Sequence, residues 1–339
     1  MKKKICPILI GIAVICMFAA ACLRPKYELF SVTYLDVFDT VLTVSGCEKS
    51  EEAFLENAAS IHEALLDYHR LFDIYNAYDS VSNLYTVNAH AGHNEIQVDK
   101  RIISLLTDAK LYYEKTGGRV NFAMGSVLSL WHQAREESVL NPENAYIPDA
   151  NALKNASFHT DPDNVNIDEE NGTVYISDPD MTIDVGAIAK GWALERVLKD
   201  APEGYLINLG GNVAVTSPKD KKGSPWVIGI QNPDGDGFIE KIKLTKGSAV
   251  TSGDYQRTYQ FEGNSYHHII DPDMLYPSSY WRSVTVISSD SGLADALSTA
   301  LFTLPLEDGK RLAESLGAEA IWVSENGSVF ETEGFSEYK

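Results

Sequence analysis

A change of period along the chain limits its fold more than any other feature. Over Glu51–Phe72 the apolar residues Phe54, Leu55, Ala58, Ile61, Leu65, Tyr68 and Phe72 recur every three or four positions, the spacing of a helix with one face on a core. Residues 101–115 repeat that pattern, which ends at Thr116-Gly117-Gly118, a helix-stop signal. Beyond them come short β-rich runs at 173–177, 181–185, 205–208, 213–216, 226–230, 241–244 and 282–287. No internal repeat, low-complexity tract or interdomain linker interrupts the series. The pattern predicts one α+β unit, with helices packed on a mixed β-sheet. The acidic, Asn- and Pro-rich span 136–163 is expected to be a surface excursion.

Three lysines open the chain, followed by an uncharged apolar run from Ile8 to Ala21 and then Cys22. The run is shorter than the roughly 20 residues that a membrane-spanning helix takes, so it reads as a secretory signal over residues 1–21 rather than an anchor. Small residues directly before a cysteine resemble a bacterial lipoprotein cleavage site, although Ala19 stands where such sites usually carry leucine. The expectation is an extracytoplasmic protein anchored to the cell membrane through a lipid on Cys22, with residues 22–30 as the tether. Ordinary signal peptidase processing is the alternative.

Removal of the signal takes Cys6 and Cys16 with it, and acylation would use Cys22, leaving Cys47 without a partner for a disulfide. A lone cysteine early in a fold is a small hydrophobe before it is a nucleophile. The formal charge of −20 becomes about −23 once the leader lysines leave, which repels phosphate backbones and argues against nucleic acid as a partner.

Several segments carry candidate chemistry. Asp295 and Thr299 lie one turn apart on an apolar helical pattern, which places a carboxylate and a hydroxyl on one face as part of a hard-cation site. Asp184-Val-Gly-Ala-Ile-Ala-Lys-Gly191 reads as a strand end leading into a helix that starts near Gly186. Such a turn offers free backbone N–H groups to anions, and Lys190 adds a point charge for a phosphate. A small-residue helix start also serves as a packing device, and Gly191 inside the helix would permit close approach. Asn208-Leu-Gly-Gly-Asn212 marks a sharp turn, and Thr251-Ser-Gly-Asp-Tyr255 supplies hydroxyls and a carboxylate or simply a capped turn. Of the adjacent His267 and His268, read as lying on a strand, only one can face a cleft, and His268 is the expected one. A histidine satisfied in the core is the alternative reading.

Taken in order, these segments resemble the ApbE family of flavin transferases, over about residues 32–304. The resemblance rests on Asp184-Val-Gly-Ala-Ile-Ala-Lys-Gly191-Trp-Ala, Ile207-Asn-Leu-Gly-Gly-Asn212, Trp226-Val-Ile-Gly-Ile-Gln-Asn-Pro233, Thr251-Ser-Gly-Asp-Tyr255, His268-Ile-Ile-Asp-Pro272 and Asp295-Ala-Leu-Ser-Thr299. Looser matches are Phe38-Asp-Thr40 and Gly117-Gly-Arg-Val-Asn121. The family usually shows Phe-Asp-Pro-Thr where this chain has Val120-Asn-Phe-Ala123, so Asn121 removes a charge.

The resemblance implies a domain over residues 31–335 with a nucleotide cleft between lobes. It implies a Mg²⁺-dependent enzyme that moves FMN from FAD to a threonine hydroxyl of an acceptor flavoprotein, with AMP leaving. Phe38, Arg119, Val120, Asn121, Asp184, Lys190 and Ile270 would contact FAD. Asp295, Thr299 and the Ala187 carbonyl, joined by Ser298, would hold Mg²⁺. His268 is the implied proton acceptor, with Asp254 as helper. Membrane subunits of NADH:quinone reductases or Rnf-type complexes are acceptors of the implied kind. An FAD pyrophosphatase giving FMN and AMP, and an extracytoplasmic FAD-binding protein, are the rival readings.

Overall fold

A computed structural model describes residues 27–339. The leader, Cys22 and most of the tether lie outside the described residues. Among the described residues, no helix is long and apolar enough to cross a membrane.

An eight-stranded sheet organises the fold. It uses β1 (Glu28–Val37), β2 (Thr40–Glu48), β6 (Tyr205–Leu209), β7 (Asn212–Val215), β10 (Gly247–Gly253), β13 (Ser283–Ser288), β14 (Glu319–Val323) and β15 (Val329–Glu331), side by side in that order. The α+β class holds. The sheet, however, is antiparallel at every junction rather than mixed, because neighbouring strands are joined by hairpins or by antiparallel returns. Smaller sheets are formed by β3 (Ile96–Gln97), β4 (Val165–Asp168) and β5 (Thr173–Ile176), by β8 (Trp226–Gln231) and β9 (Phe238–Leu244), and by β11 (Tyr259–Phe261) and β12 (Asn264–Tyr266).

Helices α1 (Glu51–Phe72), α2 (Leu84–Ala89), α3 (Lys100–Lys115), α4 (Gly125–Leu140) and α5 (Ala150–Ala156) precede α6 (Ala189–Val197), α7 (Ser291–Phe302) and α8 (Leu306–Ser315). The periodic stretch at 51–72 is α1, capped by Ser50 and buried along Phe54, Ala58, Ile61, Leu65 and Phe72. Asp99 caps α3. Tyr68 and Phe72 of α1 meet Trp192 of α6 edge-on, and Asp108 of α3 accepts from both Trp192 Nε1 and Arg196.

Every residue of β13 is buried. Val284 and Val286 pack beneath Ala294, Leu297 and Leu301 of α7, while Ile287 on the other face meets the apolar side of β8 and β9. Covering both faces makes this strand the floor on which α7, and with it Asp295 and Thr299, is fixed.

Two further expectations change. Residues 181–185 are extended but form no strand. The Asn88 side chain occupies both polar groups of Ile183, accepting from its N–H at 2.8 Å and donating to its carbonyl at 2.9 Å, while Asp184 N–H goes to Phe122 O. The span 136–163 is only partly an excursion. It begins inside α4 and contains α5, whose Leu153 is buried against Trp131 and Val127.

Candidate active site

Gly191 sets the geometry of the site. A Cβ there would lie 2.3 Å from Ser291 O and 2.4 Å from Asp295 Cβ, so only glycine lets α6 and α7 come this close. Helix α6 starts at Ala189, not near Gly186, and Ile188 before it gives no side-chain cap. The Asp295 carboxylate supplies one from the neighbouring helix, accepting the Gly191 N–H at 2.7 Å. Asp295 is buried, and burial raises its pKa against the pull of Lys190, the Gly191 N–H and the Asn212 amide.

The α6–α7 junction forms one side of a cleft of about 540 Å³. Phe38, Arg119, Val120, Asn121, Asp184, Ala187, Lys190, His268, Ile270, Asp295 and Thr299 all line it. Two expected residues do not. Asp254 turns to Arg282, with Nε–Oδ2 at 2.6 Å, and stays outside the lining. Ser298 is fully buried beneath the cleft, donating to Asp295 O and sharing a 2.8 Å hydrogen bond with Ser252. An ion pair at a strand end draws the first away, and the helix interior takes the second.

His267 and His268 lie past the end of β12 rather than on a strand. His267 is the satisfied core histidine, buried with Nε2 2.8 Å from Ser278 O. His268 opens on the cleft with Nδ1 3.2 Å from Gln256 O, so Nδ1 carries the proton and Nε2 keeps its lone pair. Its ring surface is open to the cleft, yet crowding by the surrounding walls, with Arg257, His267 and Lys190 adding repulsion, pushes its pKa down to about 3. The imidazole is therefore neutral, with Nε2 an acceptor facing the cleft.

Asp184 accepts from Gly186 N–H at 2.8 Å, which tightens the turn before α6, and burial pushes its pKa up. Arg119 is held by Asp271 at 3.4 Å and Asp273 at 2.5 Å. Both ends of the Asn121 amide are occupied: Nδ2 donates to Thr160 O at 2.8 Å and Oδ1 accepts from Ala123 N–H at 2.9 Å. Asn121 thus fastens two loops together.

The sequence reading missed part of the lining. Tyr75 stacks on His132 with ring centres 4.6 Å apart, and Arg135 reaches His132 Nδ1 at 3.1 Å. Arg257 sits in the left-handed region at φ 50° and its charge is felt by Asp184, His132 and His268. It follows the Thr251 motif by two residues, the one signal that could have found it. Asn212, from the double-glycine turn, lines the cleft with its Nδ2 buried near the Asp295 carboxylate, close enough to act on its charge but without a hydrogen bond of good geometry.

The chemistry of the lining is that of an anion site beside a hard-cation site. Neither Lys190 nor Arg257 has an ion-pair partner among the described residues. Asp295 and Thr299, four residues apart in α7, both line the cleft.

Comparison with known proteins identifies the relatives of this chain. The family model described as the ApbE family matches residues 35–322. A Klebsiella pneumoniae protein named FAD:protein FMN transferase is 31% identical over 275 residues, covering 77% of this chain and 83% of its own length. A Treponema pallidum protein of the same name is 32% identical over 290 residues, covering 78% of each. Among solved structures, the ApbE protein of Thermotoga maritima matches with a TM-score of 0.80 at 31% identity, over 92% of this chain and 99% of that one. The flavin transferase ApbE of Vibrio cholerae matches with a TM-score of 0.76 at 22% identity, over 93% and 100%, a likeness of fold.

Proposed function

Because this chain belongs to the ApbE family, and is thus a flavin transferase with FAD as donor, we propose that it moves FMN onto a threonine hydroxyl of an acceptor flavoprotein, with Mg²⁺ bound and AMP leaving. The observation that carries this reading is the meeting on one cleft of the turn before α6, His268, and the Asp295 and Thr299 face of α7.

Lys190 and Arg257 are the free cations of that cleft, suited to the pyrophosphate of FAD. Asp295, Thr299 and the Ala187 carbonyl, all on the lining, would supply oxygen donors of the kind that Mg²⁺ takes, with water and substrate phosphate completing the set. When bound there, the ion would offset charge growing on the pyrophosphate oxygens. Ser298 supports the Asp295 backbone instead of joining this set.

In the proposed reaction the threonine oxygen forms a bond to the FMN-side phosphorus while the bond from that phosphorus to the AMP oxygen breaks. The hydroxyl proton passes to His268 Nε2, which the Gln256 carbonyl keeps open by holding the other ring nitrogen. The negative charge of a seated pyrophosphate would raise the proton affinity of the imidazole. Asp254, paired with Arg282, plays no part in this scheme. The lysine-opened leader and Cys22 support an extracytoplasmic, lipid-tethered location for the domain.

The test is intact-mass analysis of a threonine-bearing acceptor after incubation with the protein, FAD and Mg²⁺, beside a chelated control. A metal-dependent gain of one FMN on the acceptor is expected. FMN and AMP free in solution, with the acceptor unmodified and known to be flavinylated by a relative, would replace transfer by hydrolysis.

A further inference from the structure

The turn joining β1 to β2 carries Phe38 and Asp39 at its two central positions, both with φ 51°, and pairs Val37 with Thr40. Two-residue hairpins of this hand are normally filled by Asn-Gly or Asp-Gly. A bulky aromatic at positive φ is held there against steric cost, and such strain collects at ligand sites. Phe38 also lines the cleft.

The restraint comes from α1. The Phe38 N–H donates to His69 Nδ1 at 3.1 Å, and the two rings meet edge-on with centres 5.7 Å apart. Because Nδ1 accepts, the neutral imidazole carries its proton on Nε2, which faces the Tyr78 hydroxyl at 3.3 Å. Tyr78 in turn donates to Asp73 Oδ2 at 2.8 Å. Phe38 N–H only donates and the Asp73 carboxylate only accepts, while His69 and Tyr78 each give one proton and take one, so only this tautomer satisfies all three contacts. Asp73 also accepts the Tyr75 N–H at 2.7 Å, so the same carboxylate fixes a second aromatic of the cleft.

We infer that His69 is a positioning residue for the flavin donor: through Tyr78 and Asp73 it locks the strained Phe38 turn, and ties that aromatic wall of the cleft to the one carrying Tyr75. The inference rests on FAD as the donor, as proposed above. His69 does no chemistry. It removes in advance the freedom that the Phe38 ring would otherwise lose when FAD binds.

The test compares His69→Leu, His69→Gln and Tyr78→Phe in the full protein, by FAD titration, steady-state kinetics and thermal unfolding. Leucine keeps bulk but accepts nothing, and is expected to raise the Kd and KM for FAD roughly five- to tenfold with kcat within about twofold. Glutamine can accept from Phe38 and donate to Tyr78, and is expected to recover most of the affinity. Tyr78→Phe breaks the chain farther out and is expected to raise Kd by a smaller factor. A folded His69→Leu with unchanged Kd overturns the inference, as does equal weakening in the leucine and glutamine variants. Should His69→Leu fail to fold, an unchanged Kd in Tyr78→Phe overturns it. A wild-type protein that binds no FAD removes the functional reading, and this inference with it.

Discussion

Asp295 of α7 caps α6 from outside, accepting the Gly191 N–H at 2.7 Å where Ile188 offers no side chain for the purpose. One carboxylate therefore closes a helix start and stands in the proposed cation site. The two duties are separable by chemistry, since a cap needs an acceptor while a cation needs charge.

Asp295→Asn keeps an acceptor for Gly191 and removes the charge. It is expected to unfold near the wild-type temperature while losing metal-dependent turnover by about a hundredfold or more. Asp295→Ala is expected to lose the same activity and an additional ~1 kcal/mol of stability with the cap. Equal stability of the two variants would refute the capping role.

The cleft walls push the pKa of His268 down from its ordinary value near 6.5, to about 3. Between those values the unfolded chain binds the proton that the folded chain refuses, so this group's contribution to stability is full above about pH 6.5 and is lost as pH falls toward 3. His268→Gln is expected to flatten the acid side of the stability profile across that window, as read from denaturant midpoints. Flavin transfer by the same variant is expected to slow strongly while FAD binding persists.

Arg257 faces the cleft without an ion-pair partner among the described residues. Arg257→Gln is expected to raise the KM for FAD roughly tenfold, with Arg257→Lys intermediate because a point charge replaces a planar fork. Unaltered KM in the glutamine variant, measured at low salt where such attraction is strongest, would exclude a role in anion binding.

Asn121→Asp introduces the aspartate that the family resemblance leads one to expect and removes the donor that Thr160 O accepts from at 2.8 Å. Two acceptors then face each other across the loop junction. The expected cost is about 1–3 kcal/mol, visible as a lower unfolding midpoint, without a gain in FAD affinity. Tighter FAD binding in this variant would mean that the departure from the family pattern is a loss of ligand contact rather than a structural exchange.

The motifs were legible because each joins a backbone requirement to a side chain of fixed chemistry: Gly191 to its tight helix crossing, Asp295 to Thr299 by helical spacing. Strands 205–208, 213–216, 226–230 and 282–287 were legible by their β-rich composition. What stayed hidden depends on partners distant in sequence. Asn88, far along the chain, turns 181–185 from a strand into a side-chain-held loop. Arg282 withdraws Asp254 from a motif whose spelling placed it in the cleft. Tyr75, His132 and Arg257 share no local pattern, and only the closure of the cleft brings them to one surface. The β1–β2 hairpin escaped because Phe38-Asp39 is not a sequence that announces its turn.

The hold of Asn88 on Ile183 gives the segment leading to Asp184 a different kind of durability from the sheet beside it. A ladder amide exchanges with solvent only when neighbouring strands part together, at a free energy approaching that of global unfolding. The Ile183 amide is held by one side-chain oxygen rather than by a ladder, so a local opening around Asn88 frees it while β13 stays intact. In deuterium the wall carrying Asp184 should therefore label well before the floor beneath Asp295, which makes the cleft a boundary between a slow half and a fast one.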